Sequence, residues 1–185
     1  MKDTKLEVAV LAGGCFWCTE AVFQRIEGVE VVTSGFTGGT IKNPAYREVT
    51  TERTGHAEAV KIEFDTTCIS YKELLEIFFA THDPTTLNRQ GADRGTHYRS
   101  AIFYTDERQQ KIAEELIVVL EEEKIFDQPI VTQIARFENF YKAETHHQDY
   151  YNQNSDQGYC QFVINPKLKK LNSTFKNKLK KEIQN

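Results

Sequence analysis

The chain has 185 residues, 39% hydrophobic and 11% aromatic, the composition of an ordinary globular protein, and its length suits one domain with a sizeable core. Its net charge is −4, but residues 166–185 hold seven lysines and one glutamate, so residues 1–165 carry −10; so acidic a body excludes nucleic acid as the main partner, because phosphate contacts need an extended basic surface. No apolar run approaches the roughly 20 residues that span a bilayer, and no signal-peptide core follows Met1-Lys2-Asp3-Thr4-Lys5, which predicts a cytoplasmic protein with no membrane partner.

The apolar run Val8-Ala9-Val10-Leu11-Ala12 reads as a buried strand over about 6–12, and a helical pattern follows from about 19 to 26. Gly28 stops that helix, and the β-branched stretch 29–34 predicts a second strand. A turn-rich loop through Asn43-Pro44-Ala45-Tyr46 leads to a third strand over 56–64, which alternates in its second half. Ser70-Tyr71-Lys72-Glu73 is a capping box opening a helix to about 81, with Leu74, Leu75, Phe78 and Phe79 as its core stripe. Residues 83–99 form a long polar loop of the kind that carries function.

A strand over 100–104, an amphipathic helix from Asp106 to about Lys124 and a strand over 130–137 follow. The first six elements match the order of a ferredoxin-like, split β-α-β unit, so the expected fold is α+β: a mixed sheet with helices on one face. Beyond Glu138 the chain is aromatic and polar, with a short helix expected around 144–152 and irregular structure after it. From Asn165-Pro166 a final helix is predicted, with Leu168, Leu171, Phe175, Leu179 and Ile183 on one stripe against a lysine-rich face. The expected organisation is a catalytic domain over 1–165 followed by a basic amphipathic helix over 166–185.

Gly13-Gly14-Cys15-Phe16-Trp17-Cys18 places a thiol at a strand-to-helix turn, where unpaired backbone N–H groups and the helix dipole favour thiolate. Glycine lets the chain turn sharply and leaves space beside the sulfur, while Phe16 and Trp17, the only tryptophan, supply an apolar wall. Cys15 and Cys18 also have the spacing of a dithiol redox motif, and in a cytosolic protein such thiols point to catalysis rather than a structural framework. Cys160 with His146 or His147 could extend the pair to a zinc set, but four-coordinate sites use two tight pairs, and bulky Phe16-Trp17 between the cysteines suits a pocket better. No metal and no bound cofactor are therefore expected.

Gly14-Cys15-Phe16-Trp17, Ser34-Gly35-Phe36-Thr37-Gly38-Gly39, Asn43-Pro44-Ala45-Tyr46, Thr54-Gly55-His56-Ala57-Glu58, Gly95-Thr96-His97-Tyr98-Arg99-Ser100 and His146-His147-Gln148-Asp149-Tyr150, in that order, resemble the peptide methionine sulfoxide reductase A family over about residues 6–165. The resemblance implies reduction of the S epimer of methionine sulfoxide, free or in proteins, with thioredoxin as external reductant. It assigns Cys15 as nucleophile, Glu58 as the acid that protonates the sulfoxide oxygen, Tyr46 and Tyr98 as hydrogen-bond donors to that oxygen, and Asp93 as an acceptor behind them. Burial beside an apolar wall would keep Glu58 protonated. Phe16 and Trp17 would hold the S-methyl group, so that exchanging methyl and oxygen strands a polar atom against aromatic faces.

Attack would leave Cys15 as a sulfenic acid for a second thiol to resolve. Cys160, in Gly158-Tyr159-Cys160 on a segment expected to be mobile, matches a position that often does so in the family; Cys18 stands where the family commonly has glycine, so resolution by Cys160, by Cys18 or by both in relay stays open. Cys68, just before a helix cap, is expected to be a buried structural thiol. The rival readings are a thioredoxin-like disulfide oxidoreductase, which usually has small residues between its cysteines, and a zinc-binding module. A monomer is the default expectation.

Overall fold

The computed structural model describes residues 4–183 as an α+β fold built on a six-stranded sheet. In chain order the elements are β1 (Leu6–Gly13), α1 (Phe16–Phe23), β2 (Val29–Thr37), α2 (Tyr46–Val49), β3 (Ala57–Asp65), α3 (Tyr71–Thr81), β4 (Arg89–Gln90), β5 (Asp93–Arg94), β6 (Ser100–Tyr104), α4 (Glu107–Glu122), β7 (Gln133–Arg136), β8 (Phe140–Lys142), α5 (Tyr150–Gln153) and α6 (Asn165–Thr174). The strands lie in the order β7-β6-β1-β3-β2-β8, and β4 with β5 makes a separate ribbon. Neighbours in the large sheet are antiparallel except β6 and β7, so the sheet is mixed.

Alternation along the strands sorts side chains to two faces. Ala9, Leu11, Val60, Ile62, Phe64 and Ile102 pack with α1, α3, α4 and α6 in the main core, while Val10, Ala12, Ala57, Ala59, Ala101 and Phe103 form a smaller cluster on the other side. Glu58 has the parity of Val60 and Ile62, which puts a carboxylate on the helix-covered face. The capping box forms as read: Ser70 Oγ accepts from the Glu73 amide, and Glu73 Oε2 accepts from the Ser70 amide at 2.8 Å.

Several elements differ from expectation. Helix α1 starts at Phe16, three residues before the predicted start, because all but one of its residues are buried and a helix surrounded by protein has no apolar stripe to mark its first turn. The short α2, the β4–β5 ribbon and β8 carry too few residues for a periodic signal. Strand β8 lies so close to β2 that a Cβ at Gly35 would sit 2.4 Å from the Tyr141 carbonyl oxygen. The final helix ends at Thr174, and the chain then turns back so that Glu27 and Lys180 amides bond to Lys178 and Arg25 carbonyls. Leu179 is thus buried through a bridge to Ile26 rather than on a helical stripe; the side chain of Ile183 lies outside the described residues. Cys68 is exposed, not buried: it sits in the turn before α3 and donates to Asp65 Oδ2, a polar partner that holds the thiol outward.

Candidate active site

Cys15 is the N-cap of α1 and is only 7% exposed. The turn that delivers it requires Gly14, whose φ is +94° and whose Cβ would lie 2.6 Å from Gln90. Contrary to the sequence expectation, burial pushes the Cys15 thiol up, reinforced by its hydrogen bond with Cys18 and by the neighbouring Glu58; the Trp17 amide opposes this without overcoming it. The helix terminus works here against desolvation, and desolvation is the larger effect.

Glu58, 1% exposed, is held well above the usual carboxylate range by burial, with Asp93 and Cys18 adding to the shift, while the Phe16 amide donates to it and partly offsets them. Its Oε2 has no hydrogen-bond partner. A neutral carboxylic acid with a free oxygen beside a buried thiol is a proton donor waiting for an acceptor. The Tyr46 and Tyr98 hydroxyls bond to each other and both feel Glu58 and Cys15; burial pushes Tyr46 to about 12 and Tyr98 higher still, so both remain donors at neutral pH. Four groups singled out from the sequence thus converge.

Phe16 and Trp17 stand beside them in an aromatic cluster. Phe16 packs on Phe36 at 5.7 Å and within 6.4 Å of Tyr46. Trp17 lies flat on Tyr150, centroids 3.6 Å apart and planes 5° apart, and meets Tyr159 edge-on at 5.8 Å. Its indole N–H donates to His147 Nδ1 at 3.2 Å. An indole nitrogen can only donate, so the lone pair is on Nδ1 and the proton of the neutral ring on Nε2; burial lowers the His147 pKa and favours that neutral form. The segment carrying His147 is pinned by Gln148, whose side chain accepts from the Ser34 amide and donates to the Ser34 and Ala143 carbonyls as a strand would. His147, Gln148 and Tyr150 were visible only as members of a motif; their work depends on contacts more than a hundred residues distant in sequence.

Cys15 and Cys18 also line a cavity of about 300 Å³, together with the 90–93 stretch, Tyr159, Phe162, Val163, Pro166 and Lys167. Tyr159 donates to Asp93 Oδ2 at 2.6 Å, and its oxygen is 3.6 Å from Cys18 Sγ. Cys160 is completely buried in a π-helical turn, Cys160–Ile164, and its thiol is pushed up by burial and by Cys18. Cys160 is thus under cover, next in sequence to Tyr159 and its contacts with Asp93 and Cys18. No disulfide joins any two of the four cysteines in this arrangement. Among the described residues, no group of three or more His, Cys, Asp and Glu is placed to hold a metal ion, and no helix is long and apolar enough to cross a membrane.

The family model for peptide methionine sulfoxide reductase matches residues 7–179, nearly all of the chain and every group just described. The chain belongs to the peptide methionine sulfoxide reductase family. A curated relative, peptide methionine sulfoxide reductase MsrA of Deinococcus radiodurans, is 55% identical over 174 residues, 94% of this chain and 84% of the relative. Among solved structures, reduced Mxr1 from Saccharomyces cerevisiae superimposes with a TM-score of 0.74 at 32% identity, covering 86% of this chain and 94% of that one. Mxr1 in complex with Trx2 matches with a TM-score of 0.52 at 26% identity, over 79% of this chain and 85% of that chain. The activity is reduction of methionine sulfoxide.

Proposed function

We propose that this reductase acts on the S epimer of methionine sulfoxide, protein-bound or free, with Cys15 as nucleophile and Glu58 as acid. The observation that carries the reading is the buried Glu58 carboxyl, kept neutral and with one oxygen unpartnered, within electrostatic reach of Cys15. Cys15 thiolate attacks the sulfoxide sulfur while Glu58 gives its proton to the oxygen, and the Tyr46 and Tyr98 hydroxyls support the charge growing there. Collapse transfers the hydroxyl to Cys15, which becomes a sulfenic acid, and releases methionine. Phe16 and the braced Trp17 hold the S-methyl group; the opposite epimer would turn its oxygen to those faces at a cost of about 1–3 kcal/mol or more. Asp93 acts through Tyr159, its hydrogen-bond partner, rather than on the substrate oxygen.

For resolution we favour a relay. Cys18 is hydrogen-bonded to Cys15, and Cys160 is influenced by Cys18, which supports a Cys15–Cys18 disulfide passed to Cys160 when the π-helical turn opens. An external thioredoxin then restores the thiols, a reading supported by the Trx2 complex of Mxr1. We also read β1-α1-β2-β3-α3-β6 as a ferredoxin-like split β-α-β unit, on the strand order β6-β1-β3-β2, with the basic segment after residue 165 packed on it. The test is mass spectrometry of the enzyme after one equivalent of a methionine sulfoxide peptide. Cys15→Ser should release no methionine, and wild type should end as a Cys18–Cys160 disulfide, whereas Cys160→Ser stops at Cys15–Cys18. Methionine formation by Cys15→Ser refutes the nucleophile, and a Cys15–Cys160 disulfide in Cys18→Ser at the wild-type rate refutes the relay.

A further inference from the structure

A sulfur as deeply buried as Cys15 must lose its proton to a neighbour before it can attack, and Glu58, which holds its own proton for the sulfoxide oxygen, is not available. The hydrogen bonds around Cys18 identify the acceptor. The Tyr159 hydroxyl stands between Asp93 Oδ2, to which it donates at 2.6 Å, and Cys18 Sγ, 3.6 Å from its oxygen. Cys15 is the donor in its hydrogen bond with Cys18, which pushes the one thiol up and the other down, and Cys18 is the thiol in contact with the Tyr159–Asp93 pair. Resting on the reading of Cys15 as nucleophile, we propose that Cys18 is a catalytic residue that takes the Cys15 proton before attack and gives it up when the sulfenic acid is resolved.

The environment of Cys18 suits that task. Position i+3 on the first turn of α1 places it beside Cys15, and both thiols line one cavity together with Lys167. The groups facing it are Cys15, Lys167 of α6, Tyr159, Asp93, Cys160, Glu58 and, across a small neighbouring void, His82 at the C-cap of α3. Acceptance of the Cys15 proton, the Lys167 charge and Tyr159 bring its thiol down to about 7 against burial and Asp93. His82 is lowered to about 4, chiefly by burial, and so adds no charge at neutral pH.

The balance closes without another reactant. Cys15 thiol and Cys18 thiolate exchange a proton; Cys15 thiolate then takes hydroxyl from the sulfoxide, whose oxygen has received the Glu58 proton. Cys18 sulfur next attacks the sulfenic sulfur, and its parked proton leaves with the hydroxyl as water. The products are methionine, a Cys15–Cys18 disulfide, water and Glu58 carboxylate, and the single negative charge has moved from Cys18 to Glu58.

The test measures first-turnover methionine release without thioredoxin as a function of pH, since that step precedes resolution. Wild type should gain activity around pH 7, the value to which Cys18 is lowered. Cys18→Ser, which keeps a hydrogen-bonding group that does not ionise, should gain it at least about one unit later and be about tenfold slower at neutral pH. Cys68→Ser, exposed and remote, should match wild type. A second measurement, ultraviolet thiolate absorbance of the substrate-free protein, should show a step near pH 7 in wild type and Cys15→Ser but not in Cys18→Ser. A wild-type first turnover and profile in Cys18→Ser, or a thiolate step that vanishes with Cys15 instead, overturns the proposal while leaving Cys15 as nucleophile; methionine release by Cys15→Ser removes the reading beneath it.

Discussion

Replacing Glu58 with Gln should slow the enzyme and stabilise it at once. Glutamine fills the same space and needs no ionisation, whereas a glutamate held well above 4.5 binds a proton in the folded state that the unfolded chain has already lost. Between the unfolded and folded pKa the native state holds one more proton, so wild-type stability falls by about 1.4 kcal/mol for each pH unit that is raised. Glu58→Gln removes that slope, and the stability gap should widen with pH from near the unfolded value until the folded pKa is passed. For a domain of this size about 1 kcal/mol corresponds to about 2–4 °C in Tm. Loss of the proton donor should cut kcat by about 10²–10⁴-fold, with little change in KM because the carboxyl's contribution grows as charge develops on the oxygen. Thermal melts at several pH values, paired with steady-state rates on a methionine sulfoxide peptide, measure both effects. A Tm difference independent of pH, or a rate within tenfold of wild type, would falsify the assignment of Glu58 as a neutral buried acid.

Other outcomes follow from the same geometry. Gly14→Ala forces a side chain into a positive-φ turn with its Cβ 2.6 Å from Gln90, so urea unfolding should show a loss of about 1–3 kcal/mol together with reduced activity. His147→Phe keeps the aromatic packing but removes the acceptor for Trp17; KM should rise, and the preference for the S epimer over the R epimer should narrow several-fold, measured by chiral separation of the remaining sulfoxide. Ser70→Ala removes the α3 cap and should cost about 0.5–2 kcal/mol in denaturant titration while leaving kcat/KM unchanged.

What the residues determined by themselves is local or periodic. The strand-turn-helix at Gly14-Cys15, the Ser70 capping box, the strands β1, β2, β3 and β6, and helix α4 all follow from turn chemistry and apolar spacing that need no distant partner. The motif set also placed Cys15, Glu58, Tyr46 and Tyr98 in one family pattern, and they do meet. Tertiary structure decided the rest because desolvation and long-range pairing have no local signature. It reversed the expected direction for Cys15, since packing around α1 outweighs the helix terminus. It turned the tail after Thr174 back against residues 25–27. It exposed Cys68, and it brought His147, Tyr150 and Tyr159 from the aromatic C-terminal stretch onto the one tryptophan. Which sulfur carries the charge in this pair depends on which neighbours exclude water and which donate a proton, and those neighbours come from separate stretches of the chain.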